Sequence, residues 1–162
     1  MKDTIYRSVN NSIKPFEFND EVTNVFPDMI LRSVPGYPLT ISMISVIADK
    51  FYQTGSNIYD LGCSLGTVSI AISKVLKDKK CKIIAIDDSE AMIRSCCKNN
   101  IKENYENKID FILDDMLTTN ISNASIVVMN FSLQFIPLES RQKLVEKIFN
   151  GLLPGGALIL SE

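Results

Sequence analysis

The sequence of 162 residues contains no histidine. This absence excludes Ser-His-Asp and Cys-His nucleophilic sites, and it removes the usual nitrogen ligand of zinc. Four cysteines are present, but their spacings match no zinc motif, so we expect reduced thiols and no metal. Any proton transfer must therefore use Asp, Glu, Tyr, Lys, Cys, water or the substrate itself.

Long apolar runs and an excess of positive charge are also lacking. The 17 lysines and arginines are set against 19 acidic residues, and the longest basic cluster, residues 77–82, is interrupted by Asp78 and Cys81. A chain with this charge is not expected to bind a nucleic acid backbone by itself. No segment has the pattern of a signal peptide or the length of a membrane span. We therefore predict a cytoplasmic protein with neither a membrane nor a direct nucleic acid partner.

Strand and helix patterns alternate from residue 58 onward. Helical spacing of apolar residues is found at 67–77, after Ser89 and after Pro137. Short apolar runs, which predict strands, lie at 58–61, 81–86, 109–113, 125–129 and 157–160. Uninterrupted apolar strands between helices are typical of a parallel sheet with helices on both faces, so the predicted fold class is α/β.

One domain accounts for most of the chain. Residues 1–19 show little periodicity and are predicted to be a flexible N-terminal arm, and residues 20–162 form a single domain. Within it, residues 20–52 form a helical cover. Its first helix, at 20–33, is expected to be interrupted near Pro27. Tyr37 is expected in a turn between two prolines, before a second helix at 39–52.

A glycine-bearing turn follows the first predicted strand. Gly62 permits a tight turn and a close approach of a ligand, and Gly66 permits the next helix to lie near the strand. Polar residues end four of the predicted strands: Asp60, Asp87 with Asp88, Asp115, and Asn130. Such residues also serve as turn formers and helix caps. Because parallel strands end along one edge, we expect these groups to converge on one cleft.

The spacing of residues around this turn limits the class of ligand that it can bind. A carboxylate after the second strand, here Asp87, suits the two hydroxyls of a ribose. The fingerprint G-x-G-x-x-G of dinucleotide sites is not met, because Ser64 stands where the second glycine belongs. This pattern favours an adenosyl ligand without a diphosphate and makes a nicotinamide dehydrogenase the weakest alternative.

Residues 60–66, DLGCSLG, resemble the first motif of class I S-adenosylmethionine-dependent methyltransferases. Asp87 and the pair Asp115-Met116 resemble later adenosine-binding positions of the same fold. The resemblance implies a Rossmann-like sheet that binds S-adenosyl-L-methionine, without a metal, across the ends of its strands.

A closer resemblance is to the carboxy-S-adenosyl-L-methionine synthase family. The resemblance extends over nearly the whole chain from Phe18, and three stretches carry it. They are VFPDMI with RSVPGY at 25–37, YDLGCSLG at 59–66, and NFSLQF at 130–135 with GL and PGGAL at 151–158. It implies that S-adenosyl-L-methionine and prephenate are converted to carboxy-S-adenosyl-L-methionine and phenylpyruvate. It also implies a homodimer whose product passes to a tRNA carboxymethyltransferase that modifies the wobble uridine.

The resemblance also assigns roles around the ligand. Tyr37 is expected to cover it, and Asn130 to face its sulfonium and carboxylate end. The residues expected at its methionine side are Gly62, Cys63 and Ser64. Those expected near its ribose and adenine are Asp87, Asp88, Asp115 and Met116.

The sequence ends at Ser161-Glu162, after the fifth predicted strand, whereas the family continues further. The resemblance implies a methyltransferase fold truncated at this strand, with the family's carboxylate-binding arginine in the remainder. Two alternatives to the synthase stay open: an ordinary methyltransferase, and a non-catalytic remnant that binds S-adenosyl-L-methionine.

Overall fold

Five parallel strands form a single sheet at the centre of the described structure. A computed structural model describes residues 2–3, 17–103 and 109–162 of the chain. The sheet order is β3-β2-β1-β4-β5. The strands are β1 (Asn57–Leu61), β2 (Lys82–Asp87), β3 (Ile109–Leu113), β4 (Ala124–Asn130) and β5 (Leu152–Ser161).

Helices cover both faces of this sheet. They are α1 (Asp20–Ser33), α2 (Tyr37–Phe51), α3 (Thr67–Val75), α4 (Glu90–Glu103) and α5 (Leu138–Gly151), with a short 3-10 helix at Leu133–Phe135. Apolar residues of α2 and α3 share one core cluster with the sheet, and those of α5 share a second cluster. The predicted Rossmann-like α/β fold with a parallel sheet is confirmed.

The register of the central strands explains why two cores form. Ile58 pairs with Ile126 and Tyr59 with Val127 in the parallel ladder between β1 and β4. Because neighbouring side chains point to opposite faces, the isoleucine pair enters the cluster under α2 and α3, and Tyr59 with Val127 enters the cluster under α5. Burial of one such side chain stabilises the fold by about 1.5–3 kcal/mol.

The structure corrects two expectations about the helical cover. Helix α1 includes Pro27 within a single span from Asp20 to Ser33, although proline has no N–H to donate to the residue four positions earlier. Tyr37 is the first residue of α2 rather than part of a turn. Gly36 takes a left-handed conformation, with φ of 78°, before it, and Pro38 occupies an early position where no intrahelical N–H bond is needed.

The fifth strand also begins earlier than expected, at Leu152. Ala124 pairs with Leu152 and Ile126 with Ala157, so the ladder shifts register across the Pro-Gly-Gly segment. Gly155 takes a φ of 79° there. The Pro-Gly-Gly segment therefore lies inside the strand, as an irregularity of its ladder with β4, rather than ahead of the strand.

The predicted N-terminal arm is largely outside the described residues, since only 2–3 and 17–19 of it are included. Asn19 caps α1 by accepting a hydrogen bond from the Val22 N–H at 3.1 Å. In the part of the chain that the structure describes, no single helix is long and apolar enough to cross a membrane. Helices α1 and α2 reach that composition only as a pair bent by 94°.

Asp60 does not reach the cleft at the ends of the strands. It shares the face of Ile58 because side chains alternate along β1, and it lies under α3 with 1% of its surface exposed. Its carboxylate accepts a hydrogen bond of 2.6 Å from the Ser69 hydroxyl. Burial raises the pKa of Asp60 to about 6, and the Ser69 bond opposes this rise. The expectation that Asp60 joins the other strand-end residues is wrong.

The raised pKa makes Asp60 a source of pH-dependent stability. The folded chain holds this proton more tightly than the unfolded chain, so its stabilising contribution is complete below pH 4 and is lost as pH rises through 6. We expect the free energy of unfolding, measured by urea titration, to fall between pH 5 and 7.5 by about 1 kcal/mol more in the wild type than in Asp60→Asn.

Asp78→Asn is the matched control, because Asp78 is exposed in the loop after α3. It should retain the wild-type difference between the two pH values. If Asp60→Asn has the same pH profile as the wild type and this control, the carboxylate does not titrate in this range and the interpretation of its burial is wrong.

Candidate ligand-binding site

A cleft of about 400 Å³ opens at the carboxyl ends of the strands. Its lining comes from the glycine turn after β1, the ends of β2 and β4, the loop after β3, and helix α1. This is the edge where open parallel sheets bind nucleotide-like ligands. The cleft volume is within the range of small-molecule sites.

The turn after β1 is held by backbone hydrogen bonds and by close packing. The N–H groups of Gly62 and Cys63 both donate to the Ile86 carbonyl, at 2.8 and 2.9 Å. Gly62 has a φ of 82°, and a Cβ there would lie 2.6 Å from the Ser132 Cβ. The Ser132 hydroxyl donates to the Leu61 carbonyl at 2.7 Å. Only glycine fits this position, because a side chain would push the loop after β4 away from the turn.

Asp87 joins the turn to the start of α4. One carboxylate oxygen accepts the Ser64 N–H at 2.7 Å, and the other accepts the Ser89 N–H at 3.0 Å. Each oxygen keeps a further acceptor site, which a ligand hydroxyl can use. Burial raises the pKa of Asp87, while the two backbone bonds lower it. Ser64 has a φ of 49°, so this contact holds a left-handed conformation that is unusual outside glycine.

The loop after β3 supplies the acidic side of the cleft. Asp115 accepts the Leu117 N–H at 2.7 Å, so its carboxylate shapes the turn that presents Met116. Lys147 of α5 donates to the carbonyls of Met116 and Thr119, at 2.5 and 2.9 Å, and fixes this loop against the sheet. Partial burial lowers the pKa of Lys147.

The loop after β4 forms a neutral polar wall. Asn130 lines the cleft at the end of the strand, and its side-chain oxygen accepts the Ser161 hydroxyl at 2.6 Å. Phe131 follows with a φ of 56° and donates its N–H to the Ser161 carbonyl at 2.8 Å. Glu162 accepts the Leu133 N–H at 2.7 Å. The end of β5 therefore supports this wall from behind.

Aromatic side chains border the opening. Phe18 packs edge to face against Phe26 of α1 and against Phe135, with ring centroids 5.9 and 5.5 Å apart. Tyr37 lies 6.3 Å from Phe131, centroid to centroid. Burial is the main cause that raises the pKa of Tyr37, so this phenol stays neutral over the physiological range. The arrangement gives the cleft an apolar border on which a planar ring can pack.

The structure brings eight of the nine sequence-predicted site residues to this one cleft: Tyr37, Gly62, Ser64, Asp87, Asp88, Asp115, Met116 and Asn130. Cys63 is not part of the lining. Its thiol is buried, and a hydrogen bond with Cys96 together with burial raises its pKa. Its backbone takes part in the turn: the N–H donates to the Ile86 carbonyl, and the carbonyl accepts the Gly66 N–H at 2.8 Å.

Several lining residues had no role assigned from the sequence. They are chiefly the aromatic residues Phe18, Phe26, Phe131 and Phe135, together with Ser132. Phe26 lies on the apolar stripe of α1, but periodicity alone does not distinguish a residue that faces the core from one that faces a cleft. The sequence NFSLQF at 130–135 was the available signal for Phe131 and Phe135.

Charge is distributed unevenly around the cleft. The described lining includes four carboxylates, Asp87, Asp88, Asp114 and Asp115, and no lysine or arginine. Such a field favours a ligand that carries hydroxyls and a positive charge over a phosphorylated one. Among the residues with described positions, no group of three or more cysteines and acids could hold a metal ion.

Comparison with known proteins agrees with this geometry. The methyltransferase domain family matches residues 58–156 of the chain. A carboxy-S-adenosyl-L-methionine synthase from Shewanella sp. (strain W3-18-1) is 45% identical over 161 residues, and one from Shewanella sp. (strain ANA-3) is 44% identical. In both cases the match covers 99% of this chain and 66% of the relative, so the chain spans about two thirds of the relatives' length.

Solved structures show the same fold at low sequence identity. An S-adenosylmethionine-dependent methyltransferase from Clostridium acetobutylicum superposes with a TM-score of 0.65 at 17% identity, over 87% of this chain and 56% of that one. The magnesium protoporphyrin IX methyltransferase from Synechocystis, solved with bound S-adenosylmethionine, gives 0.60 at 18% identity, over 72% and 55%. The chain belongs to the methyltransferase domain family and, over nearly its whole length, is similar to carboxy-S-adenosyl-L-methionine synthases.

Proposed function

We propose that the cleft binds S-adenosyl-L-methionine, with its adenine at the β3 side and its amino-acid end at the β4 side. The observation that carries this proposal is the Asp87 carboxylate, which is fixed by two backbone N–H groups beside the glycine turn. In sheet order, the groups follow the ligand: Asp115 and Met116 near adenine, Asp87 at the ribose, the turn at the sulfur, and Asn130 beyond it.

The acidic lining suits this ligand. The carboxylates lie on the side proposed for the ribose and adenine, where they can accept hydrogen bonds from hydroxyl and amino groups. Their negative field also favours a ligand with positive groups over an anionic one. The turn leaves no room for a diphosphate cradle, because its second glycine position is Ser64, whose N–H is already bonded to Asp87.

We further propose that the whole protein is a carboxy-S-adenosyl-L-methionine synthase. The names of the relatives support this reaction. Prephenate would lose carbon dioxide and hydroxide as its ring becomes aromatic. The hydroxide would take a proton from the methyl carbon of S-adenosyl-L-methionine and leave as water, and that carbon would form a bond to the released carbon dioxide. The products are carboxy-S-adenosyl-L-methionine and phenylpyruvate. The substrates supply the driving force, which fits a chain without histidine.

The residues of the chain would act chiefly by binding and by excluding water. Phe131 and Phe135 offer apolar surface to a six-membered ring, and Tyr37 covers the turn side of the cleft. Prephenate carries two carboxylates, and the described lining of this chain has no lysine or arginine. The sulfonium of the first substrate, together with the arginine that the resemblance places in the rest of the family's sequence, would attract them.

The biological setting belongs to the same proposal. The product would pass to a tRNA carboxymethyltransferase that makes 5-oxyacetyluridine at the wobble position, and the synthase would act as a cytoplasmic homodimer. The support for these statements is the resemblance of the sequence to the synthase family.

The role of Asp87 gives a quantitative expectation. Asp87→Ala removes a charged acceptor for ribose hydroxyls, and a hydrogen bond to a charged group contributes about 1.5–3 kcal/mol. We expect S-adenosylhomocysteine to bind the variant about 10- to 100-fold more weakly than the wild type. Isothermal calorimetry on the 162-residue chain measures this.

A ligand that lacks one ribose hydroxyl distinguishes loss of the Asp87 contact from a general loss of structure. The 2′-deoxy analogue of S-adenosylhomocysteine lacks one of the hydroxyls, so the wild type should discriminate against it and Asp87→Ala should not. If the variant keeps the wild-type preference for the hydroxylated ligand, Asp87 does not hold the ribose.

The reaction itself is tested with a chain as long as the relatives. Incubation with S-adenosyl-L-methionine and prephenate should yield an adenosyl product heavier by one carboxyl group, with phenylpyruvate released in equal amount. Mass spectrometry and the absorbance of phenylpyruvate measure the two products.

Three outcomes are informative. Carboxyl gain supports the synthase. Methyl transfer to a small molecule or to tRNA, without carboxyl gain, contradicts it and identifies an ordinary methyltransferase. Tight ligand binding without any turnover contradicts it in favour of a non-catalytic binding protein.

A further inference from the structure

Ser161 and Asn130 are direct partners in the parallel ladder between β4 and β5. The Ser161 hydroxyl donates to the side-chain oxygen of Asn130 at 2.6 Å. The Ser161 carbonyl accepts the N–H of Phe131 at 2.8 Å. Ser161 therefore contacts the cleft wall twice while standing outside the cleft lining itself.

The hydrogen bond determines which end of the Asn130 amide faces a ligand. An asparagine amide is planar, with an acceptor oxygen on one side and two N–H donors on the other. Because the oxygen is turned toward β5 by Ser161, the N–H₂ group is turned the other way. Asn130 lines the cleft, so its amide is placed to offer its N–H donors there rather than its oxygen.

The sheet order places these donors beyond the ribose. Asp87 ends β2 and Asn130 ends β4, with β1 between them. Two strand spacings separate the two groups by about 10 Å. In the binding orientation proposed above, a ligand held by Asp87 through its ribose extends toward Asn130 with its amino-acid portion, where the groups that need donors are carboxylate oxygens.

We propose that Ser161 is a positioning residue, which holds the Asn130 amide so that its N–H₂ group donates to a carboxylate at the amino-acid end of the bound adenosyl ligand. This rests on the proposed binding of S-adenosyl-L-methionine. The described lining has no cationic side chain for this carboxylate, so the orientation of one amide matters for specificity. Ser161 acts only through Asn130.

The first test needs no ligand. Side-chain amide signals of Asn130 are identified in proton–nitrogen NMR spectra of the 162-residue chain by their loss in Asn130→Asp. In Ser161→Ala they should shift toward the values of a free amide, because the oxygen loses its donor. Ser161→Thr keeps a hydroxyl and should restore the wild-type positions.

The matched control is Ser42→Ala. The Ser42 side chain is exposed, and its hydroxyl bonds within its own helix, to the Pro38 carbonyl at 3.0 Å. This variant should leave the Asn130 signals unchanged. If Ser161→Ala also leaves them unchanged, the contact does not orient the amide and the proposal is wrong.

The second test compares two ligands that share the nucleoside. S-adenosylhomocysteine carries the amino-acid portion, whereas 5′-methylthioadenosine lacks it. Ser161→Ala should weaken the first by about two- to tenfold, as for one hydrogen bond, and leave the second unchanged. Asn130→Asp, which replaces the donors by an acceptor, should weaken the first more and again spare the second.

Equal weakening of both ligands by Ser161→Ala would show a general structural effect and overturn the positioning role. A wild-type chain that binds neither ligand would contradict the proposed function and the ligand contact together. The NMR comparison would then still decide whether Ser161 orients the Asn130 amide, so the two failures are distinguishable.

Discussion

The carboxylate of Asp87 is the contact on which the geometry of the cleft depends. It joins the turn after β1, through the Ser64 N–H, to the start of α4, through the Ser89 N–H. Ser64 holds a left-handed backbone conformation at that point. Because burial raises the pKa of Asp87, the folded chain keeps this carboxylate at a cost in stability that its backbone bonds only partly offset. Such a cost is typical of a group retained for binding.

The other walls of the cleft depend on the turn after β1, one after another. Ser132 packs against Gly62 and bonds to the Leu61 carbonyl, so the loop after β4 follows the position of the turn. The end of β5 in turn supports that loop through Ser161 and Glu162. The result is a cleft with acidic groups on the β2 and β3 side and neutral amides on the β4 side, which matches a ligand with hydroxyl and amino donors on its adenosine half and a carboxylate at its other end.

The sequence predicted the features that local patterning determines. Apolar runs indicated each strand, and polar residues at the ends of β2 and β4 correctly indicated the cleft. Asp60 was misplaced because only the alternation along β1, combined with the position of α3, sends it under a helix. The aromatic border was missed because α1 brings Phe26 to the cleft through tertiary packing, which no local pattern specifies. The early start of β5 was not predicted either, because Pro-Gly-Gly is typical of a turn and not of a strand interior.

A crystal structure of the chain with S-adenosylhomocysteine tests the central claim most directly. We predict ribose hydroxyl oxygens within 2.5–3.0 Å of the Asp87 carboxylate, with the Ser64 N–H bond to that carboxylate intact. Adenine should lie beside Met116, and the amino-acid carboxylate should lie on the Asn130 side. A ligand bound elsewhere, or one whose ribose does not contact Asp87, would contradict the account.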